Sequence, residues 1–113
     1  MTPVWFDVST PDAARARRFY GELFGWPVTA IDGTYALIGE PAAPSGGIGQ
    51  AGPDSPYVGL VVYFDVPSLE EALDKAEELG GKRTLDPVGL PDGNRMAVFT
   101  DPDGNPVGLR QLA

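Results

Sequence analysis

Phe6-Asp7-Val8 leads into a stretch of helical spacing that ends Leu23-Phe24-Gly25. Phe64-Asp65-Val66 leads into another that ends Glu78-Leu79-Gly80. After each comes an Asp-Gly turn, Asp32-Gly33 and then Asp92-Gly93, and a short apolar strand. Each half closes on a glycine-containing stretch, Gly47-Ile48-Gly49-Gln50 and Gly108-Leu109-Arg110-Gln111. Self-similarity at a nearly fixed offset marks a duplicated unit. Tyr35 and Met96 correspond at the same offset as Gly47 and Gly108, while Phe6 and Phe64 lie slightly closer together. A small length change between helix and hairpin accounts for the difference. The pattern predicts strand-helix-strand-strand-strand twice. The modules are residues 1–52 and 57–113 of a single domain spanning 1–113.

Composition narrows the chemistry. The chain has 113 residues, enough for one domain or two half-domains sharing a core. A hydrophobic content of 42% supports a packed interior and argues against disorder. No apolar run is long enough for a membrane span, and no basic-then-apolar leader is visible. A cytoplasmic location is the default expectation and is not deduced from these absences. The chain has no cysteine and no histidine, which excludes disulfides, thiolate chemistry and imidazole chemistry. The formal net charge of -8 argues against nucleic acid, whose phosphates call for a basic footprint. It suits a neutral or cationic small ligand, although acidity also serves solubility.

Val4 to Val8 reads as the first strand. Thr10 is placed to cap the first helix, with Pro11 at its first position and Asp12 in its first turn. Ala16, Phe19, Tyr20, Leu23 and Phe24 form its apolar stripe, and Gly25 suits its end. Phe19, Tyr20 and Phe24 are expected to fasten it to a sheet. Strands are expected at Trp26–Ile31 and Tyr35–Gly39. A loop at 41–47 then leads to a short strand near Ile48, and residues 51–56 link the halves. In the second half, Gly59–Val66 reads as a strand. Ser68 with Glu71 reads as a capping box. Leu69, Ala72, Leu73, Ala76 and Leu79 form the stripe of the second helix, before Gly80-Gly81. Lys82–Val88, Arg95–Thr100 and Val107–Leu112 complete the strands, with a turn at Asp101-Pro102-Asp103-Gly104-Asn105.

Three segments give the chain a family likeness: Trp5-Phe6-Asp7-Val8, Ala16-Arg17-Arg18-Phe19-Tyr20-Gly21-Glu22-Leu23-Phe24-Gly25-Trp26, and Phe99-Thr100-Asp101-Pro102-Asp103-Gly104-Asn105. With them the chain resembles the vicinal oxygen chelate superfamily, which includes glyoxalase I, bleomycin-resistance proteins and extradiol dioxygenases. The resemblance covers essentially the whole chain. It implies an α+β fold of two tandem βαβββ modules whose mixed sheets form one incomplete barrel, a cup, with the helices outside. It also implies a homodimer. The family's metal enzymes place one ligand on the first and one on the last strand of each module, usually histidine and glutamate. Here those places fall at Trp5 or Pro3, at Val61 or Tyr63, at Gly47 or Gly49, and at Gly108. None supplies an imidazole, carboxylate or thiolate, which divalent transition metals need. Two isolated aspartates, Asp7 and Asp65, fall short of a calcium or magnesium site. No metal and no cofactor is expected, and glyoxalase I or dioxygenase activity is not.

Strand alternation assigns side chains to faces. Phe6 and Val8, and Val62, Phe64 and Val66, should lie under the helices. Trp5, Asp7, Val61, Tyr63 and Asp65 should line the cup. Tyr35, Gln50, Met96 and Arg110 are further candidates for its wall. Aromatic surface with carboxylate suits a planar or cationic organic ligand. The ligand-binding candidates are thus Trp5, Asp7, Tyr35, Gln50, Val61, Tyr63, Asp65 and Met96, with no catalytic residue assigned. No histidine is present for a triad, and Ser9, Ser45, Ser55 and Ser68 have turn or cap explanations. The expected function is metal-independent binding of a small organic molecule. The alternatives are a metal-free enzyme using a buried carboxylate such as Asp7, Asp65 or Glu40, and a non-catalytic dimer scaffold whose cup is plugged by its own side chains.

Overall fold

The computed structural model describes residues 1–113. Its elements run β1 (Trp5–Thr10), α1 (Ala13–Phe24), β2 (Val28–Ala30), β3 (Tyr35–Glu40), β4 (Ala43–Gln50), β5 (Gly59–Asp65), α2 (Leu69–Glu78), β6 (Lys82–Gly89), β7 (Arg95–Thr100) and β8 (Pro106–Gln111). The order βαβββ therefore occurs twice, as the repeat predicts. The chain divides into two compact units, Trp5–Leu60 and Val61–Ala113 together with Met1–Val4.

In the first unit the strand order is β2-β3-β4-β1. β4 pairs antiparallel with β3 and parallel with β1, so the sheet is mixed. The parallel pair needs a long crossover, and α1 with the β2–β3 hairpin supplies it. Val8, Ile38 and Ile48 form the core, with Phe6, Ala16, Tyr20 and Trp26 packed against it. The sequence placed a loop over 41–47, but β4 there is a full strand of eight residues. Its three glycines and one proline have poor intrinsic strand preference. Pairing on both edges overrides that preference, and close packing requires the glycines. A Cβ at Gly46 would overlap the Phe6 backbone and ring.

Helix α1 starts later than the sequence suggested. Asp12, not Thr10, is the N-cap, and its Oδ1 accepts from Arg15 N at 3.0 Å. Thr10 instead accepts from Asp12 N through its hydroxyl, at 3.2 Å. Gly25 ends the helix in the left-handed region, φ 67°, as a C-terminal glycine should. Another correction concerns the stripe. Tyr20 reaches the core, but Phe19, Leu23 and Phe24 are 57%, 59% and 55% exposed. Trp26 packs beside the helix end, its ring centroid 5.6 Å from Phe6 and 4.6 Å from Phe24.

In the second unit the order is β5-β8-β7-β6, with β5–β8 parallel and the other pairs antiparallel. Leu69, Leu73, Ala97 and Leu109 form its core, joined by Phe64, Val66, Ala72 and Phe99. Ser68 caps α2 as expected, accepting from Glu71 N at 3.2 Å. The turn before β8 is organised by Asp101, whose Oδ1 accepts from both Asp103 N and Asn105 N at 2.9 Å.

Candidate functional site

Strand β1 puts Trp5 and Asp7 on the face away from α1, because Phe6 and Val8 between them pack under the helix. Tyr35, first residue of β3, reaches Asp7 from the same face. Its hydroxyl donates to Asp7 Oδ1 at 3.0 Å. A third residue joins them. Tyr57, in the segment between β4 and β5, donates its hydroxyl to Asp7 Oδ2 at 2.7 Å. Both carboxylate oxygens thus accept a phenol. Burial raises the Asp7 pKa above the ordinary carboxylate value, and the hydrogen bonds from Tyr57 and Tyr35 offset part of that rise. The result is a half-buried carboxylate held by two phenols, beside an indole on the same strand face.

Gln50 does not belong to this group. It shares the helix-side parity of Ile48, and its amide is engaged there. Oε1 accepts from Ala13 N at 3.0 Å, and Nε2 donates to Pro11 O at 2.5 Å. Its side chain closes the N-terminus of α1, where backbone N–H groups lack helical partners. Gln111 does the same for α2 in the second unit, accepting from Leu69 N at 2.9 Å. The duplicated glutamines are helix clamps, a role correcting the assignment of Gln50 to the ligand wall.

In the second unit, Val61, Tyr63, Asp65 and Met96 share the face opposite α2. Val61 and Tyr63 are only 2% and 6% exposed, so a ligand has little direct access to them. Asp65 is taken up by Arg110, which donates from Nε to Oδ1 at 2.7 Å and from Nη2 to Oδ2 at 3.0 Å. This fork-to-fork geometry leaves no unpaired anion. The same hydrogen bond is the main cause holding the Arg110 guanidinium more firmly protonated. Met96 lies opposite Arg110 in the β7–β8 ladder.

The residues at the family's metal positions do not fit a divalent cation. A Cβ at Gly47 would fall inside the Tyr35 phenol, and one at Gly108 would overlap the Tyr63 ring. Tyrosine rings therefore lie over both glycines, in the space a ligating side chain on either last strand would need. No group of three or more His, Cys, Asp or Glu side chains is gathered where it could hold a metal. Two shallow hollows, about 380 and 330 Å³, lie on the helix sides of the two units, one lined by residues such as Phe99 and Leu109, the other by Val8 and Tyr20. The convergent polar groups lie on the opposite faces, so the chemistry points away from the hollows.

Sequence comparison agrees with the fold. Residues 2–109 match the model of the glyoxalase/bleomycin resistance protein/dioxygenase superfamily. The chain belongs to that superfamily. As a superfamily member it is 32% identical over 118 residues to the glyoxylase-named protein CFP32 of Mycobacterium tuberculosis, covering 97% of this chain and 45% of that protein. It is 29% identical over 120 residues to the anthracycline biosynthesis protein DnrV of Streptomyces peucetius, covering 90% of this chain and 44% of that one. The chain thus spans less than half the length of these relatives. Among solved structures, a superfamily member from Vibrio splendidus 12B01 matches with a TM-score of 0.65 and 14% identity, over 94% of this chain and 95% of that one. At that identity the match speaks for the α+β fold of paired βαβββ modules and for nothing further.

Sequence reading missed Tyr57. It sits just past the segment read as a linker and just before a strand, fifty positions from Asp7. The one available signal was an aromatic residue after Pro56 that neither neighbouring element accounted for.

Proposed function

We propose that this superfamily member binds a small organic molecule without a metal, on the face that carries Trp5, Asp7, Tyr35 and Tyr57. The observation that carries the reading is the exchange of ligating side chains for aromatic ones. Glycines stand at last-strand metal positions, and tyrosine rings cover them. The polar groups that converge in their place are phenols on a carboxylate. The electrostatics favour a neutral aromatic ligand over a cation. Asp65 is neutralised by Arg110, and Asp7 is half-buried with both oxygens occupied. A relative named for anthracycline biosynthesis is compatible with an organic ligand. The test is a binding screen of neutral and cationic aromatic compounds in excess chelator. Neutral aromatics should bind equally well with or without chelator, and Trp5→Ala should weaken them about tenfold. Binding that needs an added divalent metal would refute the reading.

A metal-free enzyme is the second reading. It is favoured by the burial of Asp7, which raises its pKa above the ordinary carboxylate value, the direction in which a carboxyl group becomes a better general base. As to assembly, our reading is a homodimer, supported by the large apolar side chains that α1 leaves exposed. No helix is long and apolar enough to cross a membrane, and a cytoplasmic location is part of the same reading.

A further inference from the structure

The hollow on the helix side of the second unit has its origin in the repeat. Tyr20 and Ala76 lie equally far along their helices from the N-caps Asp12 and Ser68. Tyr20 packs against the core of Val8, Ile38 and Ile48. Ala76 has no ring to set against Phe99 and Leu109, and about 380 Å³ stays open there. The lining is apolar apart from Lys75 and Asp101. Lys75 pairs with Glu78 at 3.8 Å, and both Asp101 oxygens are taken up inside their own turn. A small-molecule site fixes its ligand with a few convergent polar groups. This hollow offers none, so it suits an apolar side chain that is oriented by its own backbone.

Side chains of that kind stand on the surface of this same protein. Phe19 and Leu23 are four apart on α1 and form one exposed row, with Arg15 a turn before them. Charge then selects how two copies can meet. Helix α1 carries Arg15, Arg17 and Arg18 against Glu22, while α2 carries Glu70, Glu71, Asp74, Glu77 and Glu78 against Lys75. Arg83 takes Asp74 and Glu77, and Arg95 takes Glu70. Glu71 and Glu78 are left without an arginine, and they flank the lining residue Lys75 on the helix surface. Copies of net charge -8 repel one another. Setting α1 on α1, or α2 on α2, would add a like-charge contact to that repulsion. Setting α1 on α2 brings arginines to carboxylates and an apolar row to an apolar hollow. We propose that the Phe19–Leu23 row of one copy seats in the α2 hollow of a second copy, with Arg15 and Arg18 facing Glu71 and Glu78. The present pairs of those arginines, to Asp12 at 3.9 Å and to Glu22 at 3.7 Å, are long and exposed and hold them weakly. The proposal rests on the homodimer reading above and names the two surfaces that meet. In a two-fold pair the contact is made twice, each copy giving its α1 row and receiving the other's.

Sedimentation equilibrium on the whole chain tests this. Wild type is compared with an acidic-α1 variant (Arg15→Glu with Arg18→Glu), a basic-α2 variant (Glu71→Lys with Glu78→Lys) and a filled-hollow variant (Ala76→Tyr). Each should raise the dissociation constant at least about tenfold. The basic-α2 variant lowers the net negative charge, so weaker association in it does not come from general repulsion. An equal mixture of the acidic-α1 and basic-α2 variants should regain the wild-type constant, because each reversed helix then meets its opposite. The charge variants alter exposed side chains only, so the test stands even where Ala76→Tyr fails to fold. A wild-type dimer that the basic-α2 variant leaves unchanged, or a mixture no tighter than its components, overturns the proposal and leaves the homodimer reading in place. A wild-type monomer at micromolar concentration removes both. A monomer whose Leu79 and Leu109 methyl signals shift with toluene gives the hollow to a small molecule, and this too overturns the proposal.

Discussion

Asp7 concentrates the chemistry of the first unit in one side chain. Tyr35 can reach it because residue 47 is glycine and leaves room for the phenol. Burial lifts the folded-state pKa of Asp7 above its unfolded value. A carboxyl shifted upward holds its proton more tightly when folded. It therefore costs stability once the pH exceeds the unfolded value, about 3.9, and the cost is complete above the folded value. Asp7→Asn removes that titration while keeping the shape. The variant should gain stability relative to wild type as pH rises from about 3 to neutrality. Urea melts across that range would read the difference, and a flat difference would contradict the assignment. The place of Asp7 on the strand face away from the helix was legible from period-two alternation. Its two partners were not, because one comes from the next hairpin and the other from a connection fifty positions away.

Among the elements, the repeat extends to how each helix is held. Gln50 and Gln111 stand at the ends of β4 and β8, and each gives its amide oxygen to the first turn of its own module's helix. The last strand and the helix are thereby tied at the point where helix N–H groups lack partners. Replacing Gln111 by Ala should cost about 1 kcal/mol, the usual scale for losing an N-terminal capping group, and Gln50→Ala about the same. Chemical denaturation would measure both. Unchanged midpoints would mean that water replaces the amides at no cost. The sequence displayed these glutamines at equivalent places, and the reading of Gln50 as a ligand contact put it on the wrong face. Gln50 follows Ile48 in parity, and Ile48 is core. The strand at 43–50 was hidden for a related reason, since its partners, not its own composition, make it a strand.

For the whole molecule, the apolar side chains on α1 bear on assembly. Phe19, Leu23 and Phe24 are each more than half exposed, and they follow one another on the helix surface at spacings of four and one. In a chain of net charge -8 such a patch is costly to leave in water. Under the homodimer reading this face is covered by a second copy. Phe19→Glu with Phe24→Glu should then raise the dimer dissociation constant by at least about tenfold in sedimentation equilibrium, since each lost anchor removes more than about 1 kcal/mol. A wild-type monomer at micromolar concentration would dismiss that reading.

The sequence by itself determined the duplicated βαβββ order, the Ser68 cap, the Asp-Gly turns and the lack of donors at the family's metal positions. These are local or one-letter properties: period, cap chemistry, and the presence or absence of a side chain. Tertiary structure alone decided that Tyr35 and Tyr63 lie over Gly47 and Gly108, that Tyr57 shares Asp7 with Tyr35, that Arg110 takes Asp65, and that Gln50 serves a helix. Each of those facts is a meeting of residues far apart in the chain. Strand register brings most of them together, and strand pairing, not residue type, sets the register.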